Sequence, residues 1–459
     1  MNLADFIVRH QNDDPADLVL HRERWPEVDV ALAAECIASR RKLRSKVPEW
    51  YADPGIICPI ALSAEQCSST ATARYKARLA ASLSVGPSPN SGVFADGNAF
   101  FGNPSLNSGF FADGKFEAGM QPMRIADLTG GLGVDTWQFS KVAAAVLHNE
   151  MNPVLSDAAK GNLTRLGCSN ISFSRVCISA ETLPEVLDSF KPDLVFADPA
   201  RRTGGRKVFL PEDCLPNVLE LQDIVLERGV HMMLKLSPMA DISLLLRKFH
   251  CVKELHIIQA DGECKELLLL MEPGFSGEPD ITVAVAGNDD SYSLSGQTGS
   301  LSFHPSEERS SEPRFISAVP SPGDLLFEPG AALSKSGAFN LLCGRFGLCK
   351  LGPSAHLYIS DHQLRAISCK NDSENSGLPE LQALRGLGKW FEIQEVAPFG
   401  KAALRDFATR WPDAEVSARN LPVNSDVLRS KMKVRGGGHT HIFGAGTAVG
   451  RLLIACRCI

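Results

Sequence analysis

Asp127-Leu-Thr129-Gly130-Gly131-Leu-Gly133-Val-Asp135 closes a short apolar run, opens a helix-like segment, and precedes by 23 residues an acid, Glu150, at the end of the next apolar run. Glycines here let a strand-to-helix turn bring its backbone close to a ligand, and an acid ending the second strand can accept hydrogen bonds from ribose hydroxyls. The spacing is not the dinucleotide pattern G-x-G-x-x-G, but the arrangement places an adenosine-bearing cofactor.

Working outward, strand-like and helical runs alternate from Met123 to about Pro273. Strands are expected at Arg124–Leu128, Ala145–Glu150, Ile171–Cys177, Leu194–Asp198, His231–Leu236, Glu254–Gln259 and Glu266–Met271. Helices are expected to start near Val134, Pro153, Leu183, Leu215 and Ile242. That alternation predicts an α/β fold, a parallel sheet with helices on both faces. Ligands of such sheets bind outside the strands' carboxyl ends. The glycine stretch occupies one such end, and Asp198-Pro199-Ala200-Arg201-Arg202 occupies another.

The chain has 459 residues, 44% of them apolar, enough for two to four units at about 100–200 residues per domain. A net charge of −6 excludes a chain that is basic throughout, while leaving local basic faces open. Thirteen cysteines without a Cys-x-x-Cys pair fit a reduced, intracellular protein. No run approaches the roughly 18 apolar residues of a membrane span, so the expected location is the cytoplasm.

Residues 1–84 read as helical, with a basic stretch Arg40–Lys46 that is either a solvated face or a phosphate contact, and a helix from near Leu62 through Lys76 with Ser63 as cap. Residues 85–122 form an insertion in which Asn90-Ser-Gly-Val-Phe-Ala-Asp-Gly97 returns as Asn107-Ser-Gly-Phe-Phe-Ala-Asp-Gly114. Two copies cannot build a solenoid. The alternating α/β fold spans 123–275, and 276–385 is a patchy small unit with polar insertions. The last unit, 388–459, carries 11 Lys and Arg against 6 Asp and Glu. Its expected strands are Trp390–Val396, Ala414–Ala418 and His439–Phe443, and its expected helices are Lys401–Arg410, Ser425–Lys433 and Val449–Cys456.

These stretches, with Glu65-Gln-Cys-Ser-Ser69, Thr72-Ala-Arg-Tyr-Lys76, Lys235-Leu-Ser-Pro238, Glu263-Cys-Lys-Glu-Leu-Leu268, Glu328-Pro329, Lys335-Ser-Gly-Ala-Phe339, Ala418-Arg-Asn420 and Gly436-Gly-Gly438, resemble bacterial class I S-adenosylmethionine (SAM) methyltransferases with a C-terminal THUMP-like domain. The resemblance implies a Rossmann-like seven-stranded sheet, a helical N-terminal region, a ferredoxin-like piece and a THUMP-like end. It implies SAM as cofactor and RNA, tRNA or rRNA, as substrate. By the same resemblance Asp127, Thr129, Gly130, Gly131, Gly133, Asp135 and Glu150 surround SAM. Glu181 stands where related enzymes place an adenine-binding Asp. The family's Asp/Asn-Pro-Pro-aromatic loop is replaced by Asp198-Pro-Ala-Arg.

Methyl transfer from a sulfonium is an in-line displacement, so the protein positions donor and acceptor and excludes water. Asp198 can orient an exocyclic amine or accept a proton late in the reaction, and the Pro199-Ala200 carbonyls can face that amine. Arg201 and Arg202 suit phosphate or base contacts, or equally pairing with Asp193, Glu212 or Asp213. Lys235 ends the fifth strand beside the same site as a substrate contact. Neither loop supplies a cysteine, which favours nitrogen or oxygen over pyrimidine C5 as acceptor. His439-Thr-His441 and Cys456-Arg-Cys458 lack structural-zinc spacing, and no metal is expected. The alternative to an enzyme is a non-catalytic RNA-binding protein that retains the fold.

Overall fold

The computed structural model describes residues 1–83, 122–201, 211–287, 299–360 and 384–459. The repeat insertion and most of the polar breaks, with the side chains of Arg201 and Arg202, lie outside the described residues. The chain divides into two compact units, the first comprising 1–255, 266–277 and 286–295 and the second 256–265, 278–285 and 296–459.

The first unit is built on β1 (Arg124–Asp127), β2 (Ala145–Asn149), β3 (Ile171–Ser174) and β4 (Leu194–Ala197), followed by a short pair, β5 (Ala200–Arg201) and β6 (Cys214–Leu215). Then come β7 (His231–Leu236), β8 (Val252–Ala260) and β9 (Glu263–Met271), of which residues 256–265 are counted in the second unit. The main sheet has nine strands; seven of them run in the order β8-β9-β7-β4-β1-β2-β3, and two further strands follow β8 at its edge. β1 pairs in parallel with β2 and β4, β2 with β3, and β4 with β7, whereas β9 runs antiparallel to β7. Those seven strands are the expected Rossmann-like arrangement, with β9 reversed, and the sheet exceeds the expectation by two strands. β4 is wholly buried, as its apolar run Leu194-Val-Phe-Ala197 requires of a central strand covered on both faces.

Helices begin at Val134, Pro153, Leu183 and Ile242 as expected. The one expected near Leu215 starts at Val218, because Asn217 caps it by accepting the Leu219 N–H, and Leu215 belongs to β6. The N-terminal segment is helical but interrupted differently from the expectation. The helix through Leu62 ends at Gln66, and a second one, Thr70–Ser82, starts where the Ser69 side chain accepts the Thr72 N–H. Ser69, not Ser63, is therefore the cap. This region docks on the sheet's helices through Trp50 and Trp137, 6.0 Å apart, and through Asn162, whose amide accepts from Ile57 N–H and donates to Ile57 O.

In the second unit an antiparallel pair, β10 (Asp280–Val285) and β11 (Ser300–Phe303), precedes the remaining strands. These are β12 (Leu325–Pro329), β13 (Cys349–Lys350), β14 (Tyr358–Ser360), β15 (Gly388–Pro398), β16 (Glu415–Arg419), β17 (Thr440–Thr447) and β18 (Gly450–Cys458). They form one seven-stranded sheet in the order β13-β14-β12-β15-β18-β17-β16. The 324–360 region and the basic end thus share a sheet through the β12–β15 pairing. Val449–Cys456, expected as a helix, is corrected to strand. Leu452 to Cys456 are all buried between β15 and β17, and a short apolar run covered on both faces has no periodicity to separate strand from helix.

Candidate active site

The glycine loop leaves β1 with Asp127 buried beneath it. Its carboxylate accepts the Thr136 hydroxyl at 2.7 Å and the Thr129 N–H at 3.2 Å. Burial pushes this carboxyl up to about 7, and the Asp135 and Asp198 charges add to the rise. Thr136 Oγ1 also meets His148 Nδ1 at 2.9 Å. Burial lowers His148 to about 4, so the ring is neutral at physiological pH.

The three glycines serve different ends. A side chain on Gly130 would strike the His148 ring at 2.2 Å, so its size is set by packing. Gly131 has φ +54° with nothing within 4 Å of a Cβ position, which is a left-handed turn facing open space. Gly133, at φ +89°, starts helix Val134–Ser140. Glu150, at the end of β2, accepts Gly131 N–H on one oxygen at 2.9 Å and Asn152 N–H on the other at 2.8 Å. Each oxygen keeps a lone pair for a further donor. Asn149 ties the loops together by donating to Leu128 O and Val176 O, both at 3.0 Å.

The structure brings the two expected halves into contact, because the Asp198 N–H donates to Thr129 Oγ1 at 2.6 Å. Lys235 Nζ donates to Asp198 Oδ2 at 2.5 Å. Burial alone would depress the Lys235 ammonium, but Asp198, Glu266 and Asp135 raise it well above the ordinary lysine range and keep it charged. Asp135 points inward, accepting the Ser68 hydroxyl at 2.7 Å and pairing with Lys76 at 2.9 Å. Burial would raise its carboxyl, yet Lys76 and Lys235 hold it below the usual carboxylate range. Glu181 is exposed and accepts the Ser179 hydroxyl at 2.5 Å, without a described contact to the glycine loop.

Of the expected partners for the arginines, Glu212 is taken by Lys248, and Asp193 accepts Arg124 N–H at 2.7 Å. Pro199 is half-buried and Ala200 exposed. A cavity of about 1140 Å³ opens at the opposite, amino ends of β1, β4 and β7, and none of the residues of the glycine loop lines it.

Three partners in this site were not found in the sequence: Thr136, Lys76 and Glu266. The available signal for Glu266 was a carboxylate heading the apolar run Leu267–Met271 of β9, where it is 2% exposed.

Comparison with known proteins bears on this geometry. The ferredoxin-like domain family matches residues 325–366, and the THUMP domain-like family matches residues 388–458. A crystal structure of a candidate methyltransferase from Porphyromonas gingivalis W83 superposes with a TM-score of 0.75 at 26% identity, covering 99% of this chain and 97% of that one. Uncharacterized S-adenosylmethionine-dependent methyltransferases of Mycobacterium tuberculosis are 25% identical over 316 residues, 68% of this chain and 74% of each relative. The chain is a homologue of SAM-dependent methyltransferases. Its C-terminal part adds the ferredoxin-like and THUMP-like domains to that fold. Among the described residues no helix is long and apolar enough to cross a membrane, and no cluster of His, Cys, Asp and Glu gathers as a metal site.

Proposed function

We propose that this chain is a class I SAM-dependent methyltransferase of the cytoplasm that methylates a nitrogen or oxygen of an RNA base, in tRNA or rRNA. The observation that carries the reading is the Asp198 N–H to Thr129 hydrogen bond, which fixes the end of β4 against the glycine loop. A donor held by one and an acceptor held by the other would meet without further movement.

The residues fit SAM. Gly131 opens its turn onto free space, Glu150 retains acceptor capacity toward ribose hydroxyls, and Asp127 lies beneath the loop as a carboxylate able to receive a ligand ammonium. Thr129, Gly130 and Gly133 shape that loop, Asp135 supports it from behind, and Glu181 offers an acid at the adenine side. When bound, SAM supplies a methyl group on a positively charged sulfur. Asp198 Oδ2 is committed to Lys235, and among the described residues Oδ1 has no hydrogen bond, so it is the atom that orients an acceptor N–H or takes its proton. The Pro199 carbonyl faces the same amine, Lys235 borders the base, and Arg201 and Arg202 contact RNA phosphates.

The RNA assignment is supported by the THUMP-like match and by the basic balance of 388–459, since phosphate contacts supply most non-specific affinity. Lys401, Arg405, Lys431, Lys433 and Arg451 of that stretch are exposed. The second reading, an RNA-binding protein that keeps the fold without turnover, draws on the missing second proline and aromatic residue after Asp198. Transfer of radioactive methyl from SAM to total RNA from cells lacking the gene distinguishes them. Label entering one RNA species is expected; SAM binding with no label in any RNA favours the second reading.

A further inference from the structure

Lys76 lies on helix Thr70–Ser82, whose neighbouring positions Tyr75 and Ala77 are buried, whereas a lysine normally reaches water. Here it is 0% exposed. Its ammonium donates to Ser68 Oγ at 2.7 Å, pairs with Asp135 at 2.9 Å, lies 3.3 Å from both oxygens of Glu266, and sits 5.6 Å from the centre of the Phe196 ring on β4. Glu266 in turn stands between two lysines, 3.3 Å from Lys76 and 3.9 Å from Lys235. Lys235 leans the other way, to Asp198 at 2.5 Å.

The charges explain that choice. Three carboxylates, Asp135, Glu266 and Asp198, share two ammonium groups. Glu266 and Asp135 have side chains 3% and 11% exposed, while Asp198 is 35% exposed and has water as an alternative partner. Removing a buried cation leaves buried carboxylates uncompensated, which is strongly unfavourable. Without Lys76, the nearest remaining cation for Glu266 and Asp135 is Lys235.

We propose that Lys76 is a positioning residue for the acceptor end of the site: by neutralising Glu266 and Asp135 it releases Lys235 to hold Asp198 at the carboxyl end of β4. Nothing in this arrangement requires Lys76 to touch cofactor or substrate. A lysine that merely anchored the N-terminal helices would stabilise the fold without setting where Lys235 points. The inference uses the methyl-transfer reading only for its activity arm, and its structural arm stands apart from it.

The test compares crystal structures of the full chain carrying Lys76→Met, Glu266→Gln, and both. In Lys76→Met, Lys235 Nζ is expected to turn to Glu266 and leave Asp198, the separation widening to more than about 4 Å. In the double variant one buried cation and one buried anion are removed together, Asp135 keeps the Ser68 hydroxyl as its donor, and Lys235 is expected to return to Asp198, to which it is already hydrogen-bonded in the wild type. Glu266→Gln alone should leave that pair in place. Calorimetry with SAM should give affinities within about threefold of wild type for all three. Methyl transfer to total RNA should fall at least about tenfold in Lys76→Met and recover in the double variant. Lys76→Met unfolded with the double variant folded supports the same charge account. Lys235 still on Asp198 in Lys76→Met, or failure of both Lys76 variants to fold, overturns it. Absence of transfer in wild type would sink the methyl-transfer reading while leaving the crystallographic comparison intact.

Discussion

At the ends of β1 and β2 the backbone carries the site: Gly131 N–H is held by Glu150, Thr129 N–H by Asp127, and the loop's path depends on a left-handed glycine. At the ends of β4 and β7 side-chain charge carries it, in the series Asp198, Lys235, Glu266 and Lys76. A backbone cradle suits a ligand that is the same in every reaction. On the proposed function, a set of paired side-chain charges suits an acceptor that is to be gripped, stripped of a proton and released. The two ends therefore fail differently when altered, the first in affinity and the second in turnover.

The largest expected effect falls on the charged end. Asp198→Ala should lower methyl transfer by about 100-fold or more, the range of a lost general base, while SAM affinity measured by calorimetry stays within about threefold. Retained turnover would remove Asp198 from the chemistry. At the backbone end, Asp127→Ala and Glu150→Ala should each weaken SAM binding by about 10- to 100-fold, since hydrogen bonds to charged groups contribute about 1.5–3 kcal/mol. Glu150→Ala also unties Gly131 N–H. Unchanged affinity in both variants would erase the distinction between the ends.

A smaller effect sharpens it through pH. Asp127 is raised to about 7 in the folded chain, so its contribution to stability is fully present below the unfolded value and is lost as pH rises through about 7. His148, lowered to about 4, works in the opposite sense, its contribution being present above the unfolded histidine value and lost as pH falls through about 4. Asp127→Asn removes only the first. Wild type should therefore lose more Tm than Asp127→Asn between pH 5.5 and 8, and equal losses would show that the buried carboxyl does not titrate there. The smallest change is expected in the second unit. Lys431→Glu with Lys433→Glu should weaken RNA binding about 3- to 10-fold and flatten its salt dependence, and an unaltered salt slope would place the phosphate contacts elsewhere. Point substitutions are preferable to deleting residues 388–459, because β12 pairs with β15 and deletion would cut that sheet.

The backbone end was legible because its requirements are local. Glycine positions, the acid 23 residues on and the apolar runs between them all lie within one βαβ stretch. The seven strands followed from the same local alternation. Asp198 and Lys235 were legible as single residues, since each ends an apolar run. Their partners were not. Lys76 and Glu266 are separated by 190 residues, and only the packing of an N-terminal helix against β9 unites them. The partner of Asp135 was hidden for the same reason: it stands beside the glycines, while its carboxylate pairs with Lys76 of the N-terminal helices. Val449–Cys456 shows the remaining limit, a doubly covered apolar run whose strand state comes from its neighbours β15 and β17.

A crystal structure with S-adenosylhomocysteine tests the division of labour most directly. The account predicts ribose hydroxyls on Glu150, the backbone of Gly131 against the ligand, and the sulfur facing Asp198. Adenosylhomocysteine bound away from the glycine loop, or with its sulfur turned from Asp198, would contradict it.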